Sequence, residues 1–299
     1  MNKKLEHHIN GSLPQQTAIY KGILTDTTRW DNFRPRADDV FICTPVKCGT
    51  TWTQAIVAML IFGKVDHGVQ PGNTSPWIDA DFEPIEDYLQ LIDTQTHRRF
   101  IKTHTPLDGI PYFPQCTYIA VCRDPRDMFF SMLNHRDNWV DKEVAYAVFP
   151  RGDNAFQDWL GGKLNHNDFD HQTLDGVAHF LKTYWDYRDL TNVHLFHYAD
   201  MKNDLKSNIS LMAAALDVQV DAALLDDMTE AATFESMKKK ANQFAPLSGS
   251  GLWEAESRFF ATGKNAQWKG KLTKEDLQLF DEKARSLLAP EQFEWLVRG

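Results

Sequence analysis

Residues Val40 to Val57 read VFICTPVKCGTTWTQAIV. The run Val40 to Thr44 is short, apolar and β-branched at its ends, which predicts a buried strand. The run from Thr50 to Phe62 is longer and predicts a helix. Between them lie Lys47 and Gly49 in a tight turn, with Thr50 and Thr51 at the helix start. A strand that feeds a helix through such a turn offers unpaired backbone N–H groups and the positive end of a helix dipole, which suits a phosphate. The nucleotide-binding loop GxxxxGK[ST] places its lysine after the last glycine. Here Lys47 comes two residues before Gly49, so an ordinary ATP or GTP loop is disfavoured. A lysine on the outer lip of the cradle can instead reach a bond being broken and neutralise the leaving oxygen. Considered alone, the segment also fits an ordinary strand-to-helix turn with a surface lysine.

Three further apolar runs predict strands, Arg99 to Lys102, Thr117 to Cys122 and Val193 to Tyr198, and helical patterns at Pro125 to Asn134 and Leu174 to Leu190 alternate with them. That order predicts a parallel sheet covered by helices. Thr273 to Leu288 reads as an amphipathic helix with Thr273 as N-cap and Glu275 and Asp276 in its first turn. The chain is read as one domain over residues 1–299, with an N-terminal segment 1–36. Residues 139–171 mix aromatics with Gly, Asn and Asp without a period, a pattern expected of a lid or an acceptor-site loop.

Two more segments carry chemistry. In RFIKTHTP, Lys102 and His104 are two residues apart, so they share one face of a strand end, where open α/β sheets bind ligands. A histidine there suits a general base for a hydroxyl, and the lysine suits an anionic group. In CRDPRDMFFS, Arg123 ends a strand as a fixed cation whose fork matches a phosphate, and Pro125 opens a helix that contains Ser131. A salt bridge from Arg123 to Asp124 or Asp127 is the plainer reading of that arginine.

The whole chain narrows the partners. Its 299 residues are 42% hydrophobic, and 32 Lys and Arg stand against 41 Asp and Glu for a formal charge of −9. No basic field is available for nucleic acid or an anionic membrane, so an anion must be met by a local cluster. The longest apolar run, AIVAMLIF, is far short of the ~20 residues of a span. Cys43, Cys48, Cys116 and Cys122 lack metal spacing, and a cytoplasmic location fits so few cysteines.

TPVKCGTTW, KTHTP and RDPRDMFFS in this order, followed by FHYADMKND and ATFESMK, resemble the cytosolic sulfotransferase family from about Val40 to Lys269. The resemblance implies an α/β, three-layer P-loop-like fold with a central, mainly parallel sheet flanked by helices. It implies 3′-phosphoadenosine 5′-phosphosulfate (PAPS) as donor, no metal, and sulfuryl transfer to a hydroxyl or amine of a small, apolar or phenolic acceptor. By that resemblance Lys47, Lys102 and His104 are catalytic, with His104 as base. The turn Cys48, Gly49, Thr50 and Thr51 would hold the 5′-phosphate, Arg123 and Ser131 the 3′-phosphate, and Trp52, Tyr198 and Phe234 the adenine, with Gly263 completing the donor site. A non-catalytic adenine-nucleotide-binding protein and a small-molecule kinase are the alternatives.

Three departures from the family pattern stand out. FFATGKNAQWK puts Ala261 and Thr262 where the family has two cations, leaving Lys264 or Arg258 as candidate replacements. Cys48 replaces a serine; a thiol at a helix N-terminus beside Lys47 can ionise readily and would then be protected by bound product, but an inert small residue filling the serine's space is the plainer reading. The apolar and acidic members of the family's dimer motif are absent around Lys269 to Gln278, so the oligomeric state stays open. Trp77, Phe82, Trp139, Phe156 and Trp159 are candidates to line an apolar acceptor pocket or to belong to the core.

Overall fold

The four apolar runs form one sheet in the computed structural model, which describes residues 12–246 and 248–298. They are β1 (Val40–Cys43), β2 (Phe100–Thr103), β3 (Thr117–Cys122) and β4 (Val193–His197), in the spatial order β2-β1-β3-β4. Every pairing is parallel, with Val40 opposite Phe100 and Thr117, and Cys122 opposite His197. Each strand is short and apolar because both faces are covered. Val40 and Ile42 pack with Phe100, Ile119 and Val121 under the helices Thr50–Phe62 and Leu205–Ala215. Phe41 and Cys43 face the other way, with Tyr118, Ala120 and Cys122, under Pro125–Arg136, Leu174–Trp185 and Lys274–Leu287. The result is the three-layer α/β arrangement expected from the sequence.

Local chemistry sets the boundaries. Thr50–Phe62 buries nearly all of its circumference, as a helix apolar all round should, and it lies between two glycines in the left-handed region, Gly49 (φ 102°) and Gly63 (φ 63°). The helix from Pro125 runs on to Arg136, two residues past the expected end, and so includes His135. The helix from Leu174 stops at Trp185, where Asp186 returns its N–H to Lys182 and Tyr184 and the polar stretch DYRDLTN takes over. Strand β4 stops one residue short of Tyr198 because the His197 side chain accepts the N–H of Ala199 and caps a new helix, Tyr198–Asn203. Thr273 caps the C-terminal helix reciprocally with Asp276, a full capping box.

Residues 139–171 contain two short helices, Lys142–Val148 and Ala155–Gly161. Phe156 and Trp159 pack on Phe129, at ring distances of 5.0 and 5.4 Å, and belong to the core. No helix among the described residues is long and apolar enough to cross a membrane.

The amino-terminal end of the sheet is locked by charge. Arg99 and Asp39, 1% and 0% exposed, meet immediately before β2 and β1. The contact is bidentate, Nε to Oδ1 at 2.8 Å and Nη2 to Oδ2 at 2.5 Å. The Arg36 N–H also donates to this carboxylate, at 2.8 Å. Removing one partner of such a pair strands a buried charge. Arg99→Met is expected to lower unfolding free energy by about 3–5 kcal/mol, measured by urea denaturation, whereas a loss under about 1 kcal/mol would show that Asp39 is satisfied without it.

Candidate active site

All four strands deliver side chains to one cleft at their carboxyl ends. Its cavity volume is about 850 Å³. From the loop after β1 come Lys47, Gly49, Thr50, Thr51 and Trp52; from β2, Lys102 and His104; from β3 and its helix, Arg123 and Ser131; after β4, Tyr198. Phe234 and Gly263 close the far end. Every residue expected at the site therefore lines it, with the exception of Cys48.

The turn before the first helix is strained in a directed way. Lys47 itself lies in the left-handed region at φ 65°, and so does Gly49, where a Cβ would stand 3.0 Å from the Tyr198 ring. Only glycine fits both demands. The three N–H groups of the first helical turn have no partner within the helix and open on the cleft. Thr44 and Thr50 hydroxyls bond each other at 2.6 Å and fix the mouth of the turn.

The cations here are unusual in having no acids to answer them. Lys47, Lys102 and Arg123 are in no ion pair among the described residues. Arg123 is 5% exposed. Its fork reaches only the carbonyls of Lys264, at 2.9 Å, and Lys47, at 3.5 Å, while its plane stacks over Tyr198 at 4.2 Å. Its Nε is buried without a partner, so the expected alternative, a salt bridge to Asp124 or Asp127, does not form. Asp124 instead pairs with Arg126, and Asp127 accepts the N–H groups of Ala266 and Gln267 at 2.8 and 2.7 Å. Burial, and then the nearby charges of Arg123 and Lys102, lower Lys47 to about 7. Burial also lowers Lys102, to about 8. A cradle with this excess of positive charge and free N–H groups fits a bound polyanion.

His104 is held by its Nδ1, 2.8 Å from the Thr44 carbonyl oxygen, so Nδ1 carries the proton and Nε2 the lone pair. Burial, together with the charge on Lys102, pushes its pKa down to about 3, and the imidazole is neutral at physiological pH. Trp77 packs edge-on to His104 at 4.7 Å and lies 5.2 Å under the Lys102 ammonium.

The structure adds two residues that sequence reading missed. Asp79, fully buried, accepts from Thr103 at 2.7 Å and Thr105 at 2.6 Å. These two threonines alternate with Lys102 and His104, so the carboxylate grips one face of KTHTP and turns the other into the cleft. Only the alternation K-T-H-T hinted at a buried polar anchor, and nothing near it in sequence named Asp79. The second is His135, whose Nδ1 is 3.1 Å from Lys47 Nζ.

Three expectations need correction. Cys48 is fully buried in the core behind the turn, and burial pushes its thiol up to about 12 despite Arg123 and Lys47 nearby; it is the inert small residue, and its side chain does not face the donor site. Arg258 pairs with Glu254, so its side chain does not replace the cations missing at Ala261 and Thr262, while the Lys264 carbonyl accepts from Arg123. Lys202 and Lys238 approach that loop instead and donate to the carbonyls of Gly263 and Ala261. Of the aromatic candidates, Trp77, Phe82 and Trp139 line the cleft, joined by Phe149, Trp253 and Phe259, while Phe156 and Trp159 do not.

Strand-end cations, a helix N-terminus and a neutral histidine in one cleft define a group-transfer enzyme acting on an anionic donor. Residues 37–291 match the sulfotransferase domain family, and the chain belongs to it. A glycolipid sulfotransferase of Mycobacterium tuberculosis is 33% identical, with 94% of each chain covered. An amine sulfotransferase of Oryctolagus cuniculus is 28% identical, over 84% of this chain and 81% of the relative. Among solved structures, a mouse sulfotransferase complexed with PAP has a TM-score of 0.69 at 20% identity, covering 90% of this chain and 91% of that one. Retinol dehydratase complexed with retinol and PAP gives 0.68 at 19% identity, covering 87% and 83%. These two establish the P-loop-like fold; the sulfotransferase activity follows from family membership and the curated relatives.

Asp79→Ala touches no cleft side chain. Because it frees the strand that carries Lys102 and His104, kcat is expected to fall about tenfold or more, with the Kd for adenosine 3′,5′-bisphosphate (PAP) changed less than about threefold. Steady-state kinetics beside calorimetry would show it, and an unchanged kcat would mean the strand keeps its position unaided.

Proposed function

We propose that the chain transfers the sulfuryl group of PAPS to a hydroxyl of an amphiphile with an apolar body, a glycolipid-like acceptor. One observation carries the reading: His104, which lines the cleft with Lys47 and Lys102, keeps its Nε2 lone pair, and Trp77, Trp139, Phe149, Trp253 and Phe259 line the same cleft. Supporting the acceptor class are those walls, the exposed apolar rim of Phe82 and Leu91, and the name of the mycobacterial relative.

The residues divide the work along the cleft. The N–H groups from Gly49 to Thr51 receive the 5′-phosphate, and Arg123 with Ser131 the 3′-phosphate. Trp52 is held by its own Nε1 bond to the Ala232 carbonyl, at 2.8 Å, and stands with Phe234 at the adenine end. PAPS supplies an activated sulfuryl group with a phosphate as leaving group. His104 Nε2 takes the acceptor's proton as its oxygen attacks, Lys102 offsets charge on the transferring group, and Lys47 does so on the leaving oxygen. A non-catalytic nucleotide-binding protein would have no use for a base locked in this tautomer.

Radiolabelled transfer from PAPS to octyl β-D-glucopyranoside tests the reading. His104→Ala is expected to lower the rate about 100-fold or more while PAP still binds. Binding of PAP without transfer to any alcohol or phenol would favour the non-catalytic protein, and a requirement for ATP the kinase.

Lys47 gives the donor site a pH signature. Burial lowers its ordinary value of 10.5 to about 7, and a bound anion restores the charged form. Above pH 7 binding must therefore take up a proton. PAP affinity should fall with rising pH, by up to about tenfold per unit between pH 7.5 and 9, and the slope should ease in Lys47→Arg. A flat calorimetric profile over that range would contradict the lowered value.

A further inference from the structure

Two imidazoles face the reacting end of the cleft, and their hydrogen bonds fix them in opposite tautomers. His104 gives its Nδ1 proton to the Thr44 carbonyl and keeps Nε2 as an acceptor. His135, in the last turn of the helix Pro125–Arg136, has its Nδ1 3.1 Å from the Lys47 ammonium. With the donor anion bound Lys47 is an ammonium, which has three donors and no acceptor, so His135 Nδ1 then accepts and the ring's proton sits on Nε2. Burial, and then the charges of Lys47, His104 and Lys102, disfavour a second proton on this ring.

The surroundings of His135 are apolar. Its ring centroid lies 4.9 Å from Trp253, 5.3 Å from Phe149, 5.6 Å from Phe259 and 6.2 Å from Trp139. All five residues line the cleft. The Nε2–H has no protein partner among the described residues. Once an acceptor displaces water from this chamber, an unpaired donor costs about 1–3 kcal/mol, which the acceptor avoids only by bringing an oxygen to it.

We propose that His135 determines acceptor specificity, its Nε2–H donating to a second oxygen of the acceptor next to the hydroxyl that His104 deprotonates. The acceptor class is then a vicinal diol or hydroxy-ether, as in a sugar ring, joined to an apolar body. A simple phenol or monohydric alcohol leaves the donor unpaired. This rests on the sulfuryl-transfer reading and narrows its acceptor. In the step itself the acceptor oxygen bonds to sulfur as the sulfur–oxygen bond to the leaving phosphate breaks. The hydroxyl proton passes to His104 Nε2, and His135 keeps its own proton throughout.

The test uses octyl β-D-glucopyranoside, its four monodeoxy analogues and 4-octylphenol with the full chain, His135→Phe and His135→Gln. Loss of the sulfated hydroxyl should abolish turnover in all three proteins. Loss of a neighbouring hydroxyl should lower kcat/KM about tenfold in the unaltered enzyme, mostly through KM, and less than about twofold in His135→Phe. His135→Gln, whose amide N–H reaches toward the place of Nε2, should regain part of the discrimination. Each comparison sets two acceptors against one protein, so partial unfolding of a variant cancels. Equal deoxy penalties in His135→Phe, or no penalty at any neighbouring hydroxyl in the unaltered enzyme, overturn the proposal. Turnover of 4-octylphenol but of no glycoside overturns it while leaving sulfuryl transfer intact, and transfer to neither class overturns both.

Discussion

A strand end that carries its working groups on one face can hold them in place only if the opposite face is held. Asp79 does this for KTHTP: its carboxylate binds Thr103 and Thr105, and Lys102 and His104 are thereby presented to the cleft. The Thr44 carbonyl then selects the tautomer of His104. His104, the proposed base, Lys102 beside it and the Trp77 surface they share all depend on a carboxylate buried outside the cleft. Burial raises the pKa of that carboxylate while the two threonine hydroxyls lower it, so the anchor is tuned by the groups it positions.

Much of this was legible in the sequence because parallel sheets write plainly. Short runs of Val, Ile and Cys between turn residues marked all four strands, and the alternation of those runs with helical patterns gave their direction. Site residues at strand ends were legible for the same reason: the position after an apolar run is by construction the carboxyl end of the sheet. For Cys48 the plainer reading of an inert residue holds, because a helix N-terminus argues for ionisation only if the thiol reaches solvent, and the turn points this one inward. Asp79 and His135 were missed because their meaning is tertiary. One is 24 residues from Thr103, and the other is 88 residues from Lys47.

The donor and acceptor ends are built on different principles. At the proposed donor end Lys47 and Arg123 stand in no ion pair among the described residues, and the loop around Gly263 is fixed from outside. Asp127 holds its backbone N–H groups, while Lys202, Lys238 and Arg123 hold its carbonyls. Ala261 and Thr262 therefore contribute shape, and neighbouring elements contribute charge. At the proposed acceptor end the walls are aromatic, and the two imidazoles are neutral and directional. Affinity for the anion can thus be set apart from choice of acceptor.

The four cysteines are all buried, and the thiol nearest the chemistry sits behind the turn with its pKa pushed up to about 12. Burial thus disfavours the thiolate that peroxide, quinones and other soft electrophiles would attack beside Lys47.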